Sequence, residues 1–192
     1  MHALETIHSR HSVSPAFLGE PGPDDTTLGI LLDAAARAPD HGCLRPWRFL
    51  VIRGDARARF GDLLAGALSR RDPAADPAAL EKERAKPLRA PVVVAVAIRL
   101  QPDHPKIPAV EQILSAGAAV QNLLLAAQAL GIGAKWVTGA GAYDAHVKAG
   151  LGLDRSDLIA GLVYLGRIEG TPPVVPHADA GPLTRAWTGP SD

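Results

Sequence analysis

Hydrophobic and polar positions along the chain alternate between two periods. Leu28, Leu31, Leu32, Ala35 and Ala36 recur at the i, i+3, i+4, i+7, i+8 spacing of one helix face. Asp24 or Asp25 caps that helix and Pro39 ends it. A second helical pattern runs from Ala109 to Leu130. Ile113, Ala116, Val120, Leu123, Ala127 and Leu130 form one stripe, and Leu114, Ala118, Leu124, Leu125 and Ala126 occupy other faces. A helix apolar most of the way round is expected to be central and buried. Between the two lies Val92 to Ile98, an unbroken apolar run that suits a strand covered on both faces.

The remaining elements are shorter. Ala3 to Arg10 reads as an opening helix, broken at His11–Pro15 because Pro15 pushes Ser14 out of the α region. Glu20 to Pro23 is a turn-rich connector. Trp47 to Arg53 reads as a strand, Asp55 to Arg71 as a helix and Asp72 to Pro77 as a flexible excursion. Glu81 to Arg89 is charge-dense and reads as a solvated helix or lid, with ligand binding as the minor alternative. Gly131-Ile132-Gly133 closes the long helix. Ala134 to Thr138 reads as a strand, Asp144 to Ala149 as a short helix and Ile159 to Leu165 as a last strand. The order is roughly ααβααβαβαβ, without repeat or linker. It predicts one α+β domain over residues 1–192, a single sheet with helices packed on it, and a proline-rich tail from about residue 170.

Composition narrows the class. The 192 residues carry 20 basic and 20 acidic side chains and no net charge. That argues against a broad footprint for nucleic acid or an anionic membrane. One cysteine, Cys43, excludes an intrachain disulfide framework and a multi-cysteine zinc site; it is expected as a buried, inert thiol. Neither a signal peptide nor a membrane span is expected, which makes a cytoplasmic protein the default.

Familiar catalytic signatures are missing. There is no phosphate loop and no Gly-x-Ser-x-Gly elbow. Gly131-Ile132-Gly133 lacks the third glycine of a dinucleotide fingerprint and ends a helix instead of opening one. His8 and His11 lack carboxylate or thiol neighbours in sequence, so no metal site is expected. Three segments keep chemical content. Arg10-His11-Ser12 joins a forked cation, a switchable donor and a hydroxyl, a set that suits a phosphate monoester or a plain helix end. Arg37 to Phe49 is a loop stiffened by two prolines that presents Arg37, His41 and Arg45, or else a simple connector to Trp47 in the core. Gln121 and Asn122 are amides inside an apolar helix and need partners.

Taken in order, these segments resemble the FMN-dependent NAD(P)H nitroreductase family, especially its short-chain branch. Arg10-His11-Ser12 is similar to its N-terminal phosphate-binding signature. Ala38-Pro39 through Pro46-Trp47-Arg48-Phe49 is similar to its Ala-Pro-Ser…Gln-Pro-Trp loop. Gln121-Asn122-Leu123 through Gly133 resembles its central helix, and Gly161 to Gly166 its last core strand. The resemblance implies a nitroreductase-like fold, a central mixed sheet flanked by helices, in an interlocked homodimer. It implies FMN as cofactor and NADH or NADPH as co-substrate. By position, Arg10, His11, Ser12, Trp136, Val137 and Thr138 would bind FMN, with Arg37 and His41 reaching it from the other subunit. Ala126, Ala127, Gln128, Ala129, Leu130 and Gly131 match a segment assigned to the nicotinamide nucleotide. No protein residue is expected to act as a catalytic nucleophile, because the flavin carries the chemistry. Small acceptors such as a nitroaromatic or a quinone are implied. Ser14 stands where the family often has a second basic residue. Arg45 replaces the usual amide and would tune the substrate. The rival readings are a flavin- or nucleotide-binding module without turnover, an offshoot acting on flavin or a specialised metabolite, and a dimeric scaffold.

Overall fold

The structure is a computed structural model that describes residues 2–190. Seven helices and five strands follow in the order α1 (Ala3–Ser9), β1 (Leu18–Gly19), α2 (Asp25–Ala35), β2 (Trp47–Arg53), α3 (Ala56–Arg71), α4 (Pro77–Ala85), β3 (Val92–Ile98), α5 (Ala109–Ala129), β4 (Ile132–Val137), α6 (Ala140–Tyr143), α7 (Ala145–Gly150) and β5 (Leu158–Ile168). Asp24 accepts from Thr27 N at 2.8 Å and caps α2, which settles the choice between the two aspartates. Gly131, at φ +71°, ends α5; Ile132 and Gly133 already belong to β4.

The strands form one sheet in the order β1-β5-β3-β2, with β4 also on β5. All four pairings are antiparallel, where the resemblance implied a mixed sheet. The reason is β5, which runs against β1, β3 and β4 alike, while β3 runs against β2. Arg167 pairs with both Gly19 and Ile132, and Leu165 with both Val92 and Ala134. So β4 lines one edge of β5, and β3 and β1 lie end to end along the other.

Every residue of β3 is buried. Alternate side chains therefore feed two cores. Val92, Val94 and Val96 face α2 and α5, together with Val163, Leu165 and Ala134. Val93 and Ala95 face α3, α6 and α7, together with Phe60, Leu64, Val147 and Tyr164. Trp47 is 7% exposed and belongs to the first core, as the connector alternative for its loop had it.

Two departures from the sequence reading bear on function. The expected excursion at Asp72–Pro77 is short, because Asp76 accepts from Ala78 N at 2.8 Å and starts α4 at Pro77. The backbone of α4 then lies hard against α3: a Cβ on Gly61 would come within 2.2 Å of the Arg84 carbonyl oxygen. The 3-10 turn Lys86–Arg89 continues from α4 along the sheet. Second, α5 is not buried all round. Its inner face is, and Asn122 donates to Ala34 O at 3.2 Å. Gln112 closes the preceding loop by bonding to both backbone groups of Gln101 and to Ile107 O. Val110, Ile113 and Leu114 are instead exposed, as is Gln121. By length and composition α5 is long and apolar enough to cross a bilayer, where the sequence led to no expected span; here its inner face packs on the sheet. The tail from Thr171 runs almost wholly exposed over the described residues, with Trp187 84% exposed.

Asp144 caps α7, accepting from His146 N and Val147 N and pairing with Arg71. Burial works against its charge, but these bonds win and hold its carboxyl below the usual value. A lowered folded pKa contributes stability that is present above the unfolded pKa and lost as pH falls through the folded one. Asp144→Ala is expected to cost about 1 kcal/mol near neutral pH. Urea melts at neutral and acidic pH should show that difference shrink as the wild-type carboxyl protonates; a difference independent of pH would remove the carboxylate from the account.

Candidate functional site

The second core is incomplete. A cavity of about 220 Å³ lies between the sheet and its α3–α4–α7 cover. Phe60 and Leu64 of α3, Val147 of α7 and Leu162 of β5 form apolar walls. Val137, Thr138 and Gly139 form another side, where β4 gives way to α6, and Pro15 closes in from the segment after α1. Glu83, Lys86, Arg89 and Tyr164 supply polar groups. The cavity thus offers apolar walls together with a charged, donor-rich flank, which suits a flat ring system with heteroatoms on one edge.

A shift in strand register shapes it. Val96 pairs with Gly161 but Ala97 pairs with Ile159, so Ala160 is an extra residue in β5. The bulge changes the parity of the strand. Ile159 consequently shares the cavity face with Leu162 and Tyr164, although strict alternation would have sent it to the other side. Gly161 is required there: a Cβ would meet Trp136 Nε1 at 2.1 Å and the Val137 carbonyl oxygen at 2.9 Å.

The residues singled out from the sequence divide into groups. Val137 and Thr138 line the cavity. Trp136 does not; its indole donates to Ala160 O at 3.1 Å across the bulge, because neighbouring strand residues point to opposite faces. Arg10-His11-Ser12 runs beside β4, tied by Val13 N to Ala134 O at 2.9 Å and by Gln128 Nε2 to Ser9 Oγ at 3.2 Å. From there the chain leads directly to Pro15 at the cavity. Arg10 is half-buried and, among the described residues, makes no side-chain hydrogen bond or ion pair. His11 Nδ1 donates to Ser9 O at 3.2 Å, while its Nε2 is buried without a partner. Such an atom costs about 1–3 kcal/mol unless something occupies it.

Arg37 is exposed just beyond α2, and His41 is elsewhere. His41 Nδ1 bonds to Glu111 Oε2 at 2.5 Å, at the first turn of α5. Ser9 is held at the last turn of the same helix by Gln128. At 1.5 Å per residue the two anchors are roughly 25 Å apart. One chain does not bring His41 to the Arg10–Ser12 segment. Arg45 is exposed, at φ +48°, with its N–H bonded to Asp40 Oδ2 at 2.6 Å. Cys43 is also exposed at φ +54°, against the expectation of a buried thiol, because the loop turns left-handed at Gly42 and presents it outward. In the 126–131 segment Ala127 is fully buried and offers no surface to a nucleotide, whereas Ala129, Leu130 and Gly131 are exposed. No cluster of three metal-ligating side chains occurs among the described residues.

Sequence reasoning did not assign Glu83, Lys86, Arg89 or Tyr164 to the site. The charge density of 81–89 was a signal, but only the packing of α4 on α3 shows that one flank of it faces inward. Glu83 and Lys86 pair at 2.5 Å. Tyr164 carries no comparable signal, since a tyrosine in a core strand is ordinary.

The chain is similar to known proteins over most of its length. The family model described as "Nitroreductase family" matches residues 7–167. An Escherichia coli K12 protein named "Putative NAD(P)H nitroreductase YdjA" is 40% identical over 167 residues, 86% of this chain and 88% of that protein. A Haemophilus influenzae protein with a name of the same kind is 34% identical over 166 residues, again 86% and 88%. Among solved structures, a nitroreductase-like family protein from Bacillus cereus superposes with a TM-score of 0.83 at 23% identity, covering 98% of this chain and 97% of that one. A Bacteroides fragilis nitroreductase with bound FMN gives 0.72 at 24% identity, covering 97% and 100%.

Gly161→Ala tests the bulge. The added Cβ must displace the Trp136 indole and press on the Val137 carbonyl. A loss of about 1–3 kcal/mol in denaturant melts is expected, with altered tryptophan emission. Wild-type stability and emission would mean that the strand accommodates a side chain there.

Proposed function

Because the chain belongs to the nitroreductase family, we propose that it is an FMN-dependent oxidoreductase drawing electrons from NADH or NADPH and delivering them to a small acceptor such as a nitroaromatic or a quinone. The observation that carries the reading is the cavity walled by Val137, Thr138 and Gly139, with cations on its flank. The residues present fit the cofactor. The apolar walls suit its ring system, and the unpartnered His11 Nε2 suits a ligand bearing hydroxyls and phosphate. The chemistry that FMN supplies when bound is two-electron transfer between nicotinamide and acceptor.

The protein's own part is binding and electrostatics. Arg10, His11 and Ser12 hold the phosphate end; the Arg10 guanidinium, with no competing partner, gives charge-assisted bonds. Val137, Thr138 and Gly139 support the ring, and Val137 rather than the Trp136 side chain contributes from that strand. Phe60, Leu64, Val147 and Leu162 exclude water, which strengthens the influence of Lys86 and Arg89 on any negative charge that develops nearby. The nicotinamide nucleotide is assigned to the exposed members of 126–131. Arg45, displayed on its left-handed loop, tunes the acceptor.

A homodimer belongs to the same reading. His41 sits too far from Arg10 along α5 to share a ligand within one chain, so Arg37 and His41 serve the flavin held mainly by a second copy. The exposed apolar side chains of Leu4, Ile7, Val110, Ile113 and Leu114, and of Val174, Val175 and Trp187 in the tail, favour such a partner.

Purified protein should bind FMN in a fluorescence titration and then oxidise NADH or NADPH with a quinone or nitroaromatic acceptor. Binding without turnover across a broad acceptor panel would leave a flavin-binding module instead. Arg10→Ala should weaken FMN binding about ten- to a hundredfold, the loss of a charge-assisted bond. Unchanged affinity would reject the phosphate role.

A further inference from the structure

Tyr164 combines two properties that rarely coexist. It is 4% exposed, within the core between β5 and α3, yet it lines the cavity and its hydroxyl has no hydrogen-bond partner among the described residues. A phenylalanine would fill the same volume without bringing a hydroxyl to the cavity. The fold gives the hydroxyl no partner, yet it is not a sealed, unpartnered atom like His11 Nε2; it opens on the cavity, where water or a ligand can accept from it. Its direction is fixed by the strand: β5 places Tyr164 opposite Val93 and Lys135, and the parity that puts Leu162 on the cavity face puts Tyr164 there too.

We propose that the Tyr164 hydroxyl donates a hydrogen bond to the heteroatom-bearing edge of the flavin ring and so anchors the ring in the cavity. The inference rests on the reading that FMN occupies this site. The chemistry is complementary. The pyrimidine edge of a flavin carries two carbonyl oxygens and ring nitrogens as acceptors and a single imide N–H. The wall beside Tyr164 carries Lys86 and Arg89, which only donate, and Glu83, whose carboxylate is already bonded to Lys86 at 2.5 Å. A donor-rich wall thus meets an acceptor-rich edge. Burial raises the phenol's pKa, an effect that Glu83 reinforces and Arg89 opposes, so at neutral pH the group keeps the proton that it donates.

The test titrates apo protein, wild type and Tyr164→Phe, with FMN and with riboflavin, which has the same ring and no phosphate. Tyr164→Phe should bind both about three- to tenfold more weakly and shift the absorption band of the bound flavin. Equal affinity and an identical spectrum would overturn the role of Tyr164 while leaving FMN binding intact. Wild type that binds no flavin would overturn the proposed function and this inference with it. A second measurement needs no core substitution. The chain has two tyrosines, so 3-fluorotyrosine labelling gives two ¹⁹F lines, and Tyr143 is 76% exposed. Adding FMN should move the line of the buried residue; a Tyr164 line that stays in place at saturation would reject the contact.

Discussion

The structure depends on one constraint: β3 and the middle of β5 are covered on both faces. A backbone so enclosed must pair its N–H and C=O groups within the sheet. β3 does so with β2 on one side and β5 on the other, and β5 with β3 and β4. Enclosure on both faces requires helices on both faces, and these differ in kind. α5 is long and covers its side with small and aliphatic residues in a close-packed layer. The other side is covered by α3, α4, α6 and α7, shorter pieces that leave a gap. The candidate site is that gap.

The shape of the gap follows from two local features. The extra residue at Ala160 alters the parity of β5, which brings Ile159 to the cavity side, and Gly161 makes room for the Trp136 indole that spans the bulge. The close approach of α4 to α3 at Gly61 sets where the 3-10 turn Lys86–Arg89 begins, and so delivers charge to an otherwise apolar wall. A bulge and a helix crossing, neither of which touches the cavity with many atoms, decide its polarity.

α5 also acts as a spacer. Ser9, just before Arg10–Ser12, is held at one end and His41 at the other. The same helix leaves Val110, Ile113 and Leu114 exposed. Both facts find one explanation in the proposed second copy, which would cover the apolar flank and place the distant loop beside a flavin it could not reach within its own chain.

Most of the helices, the longer strands and the two-sided burial of β3 were legible in the sequence, because each is a matter of periodicity, breakers and caps within a few neighbours; the order of strands in the sheet and the four-residue α6 were not. Asp24, Pro39, Gly131 and the run Val92–Ile98 carry that information locally. The family, too, was legible, in short segments whose order survives without knowledge of their contacts. The two-residue strand β1 was not, since two residues have no period. Nor was the split within Trp136–Val137–Thr138, since it depends on which face of β4 meets the cavity. The exposed flank of α5 was misread because an apolar helix looks the same whether its own chain or another covers it. Glu83, Lys86, Arg89 and Tyr164 line one cavity only through tertiary packing, α4 on its neighbour α3 and both against the distant β5, where a helix crossing and a bulge fix direction. Periodicity reports which face of an element is apolar; only tertiary contact determines what that face meets.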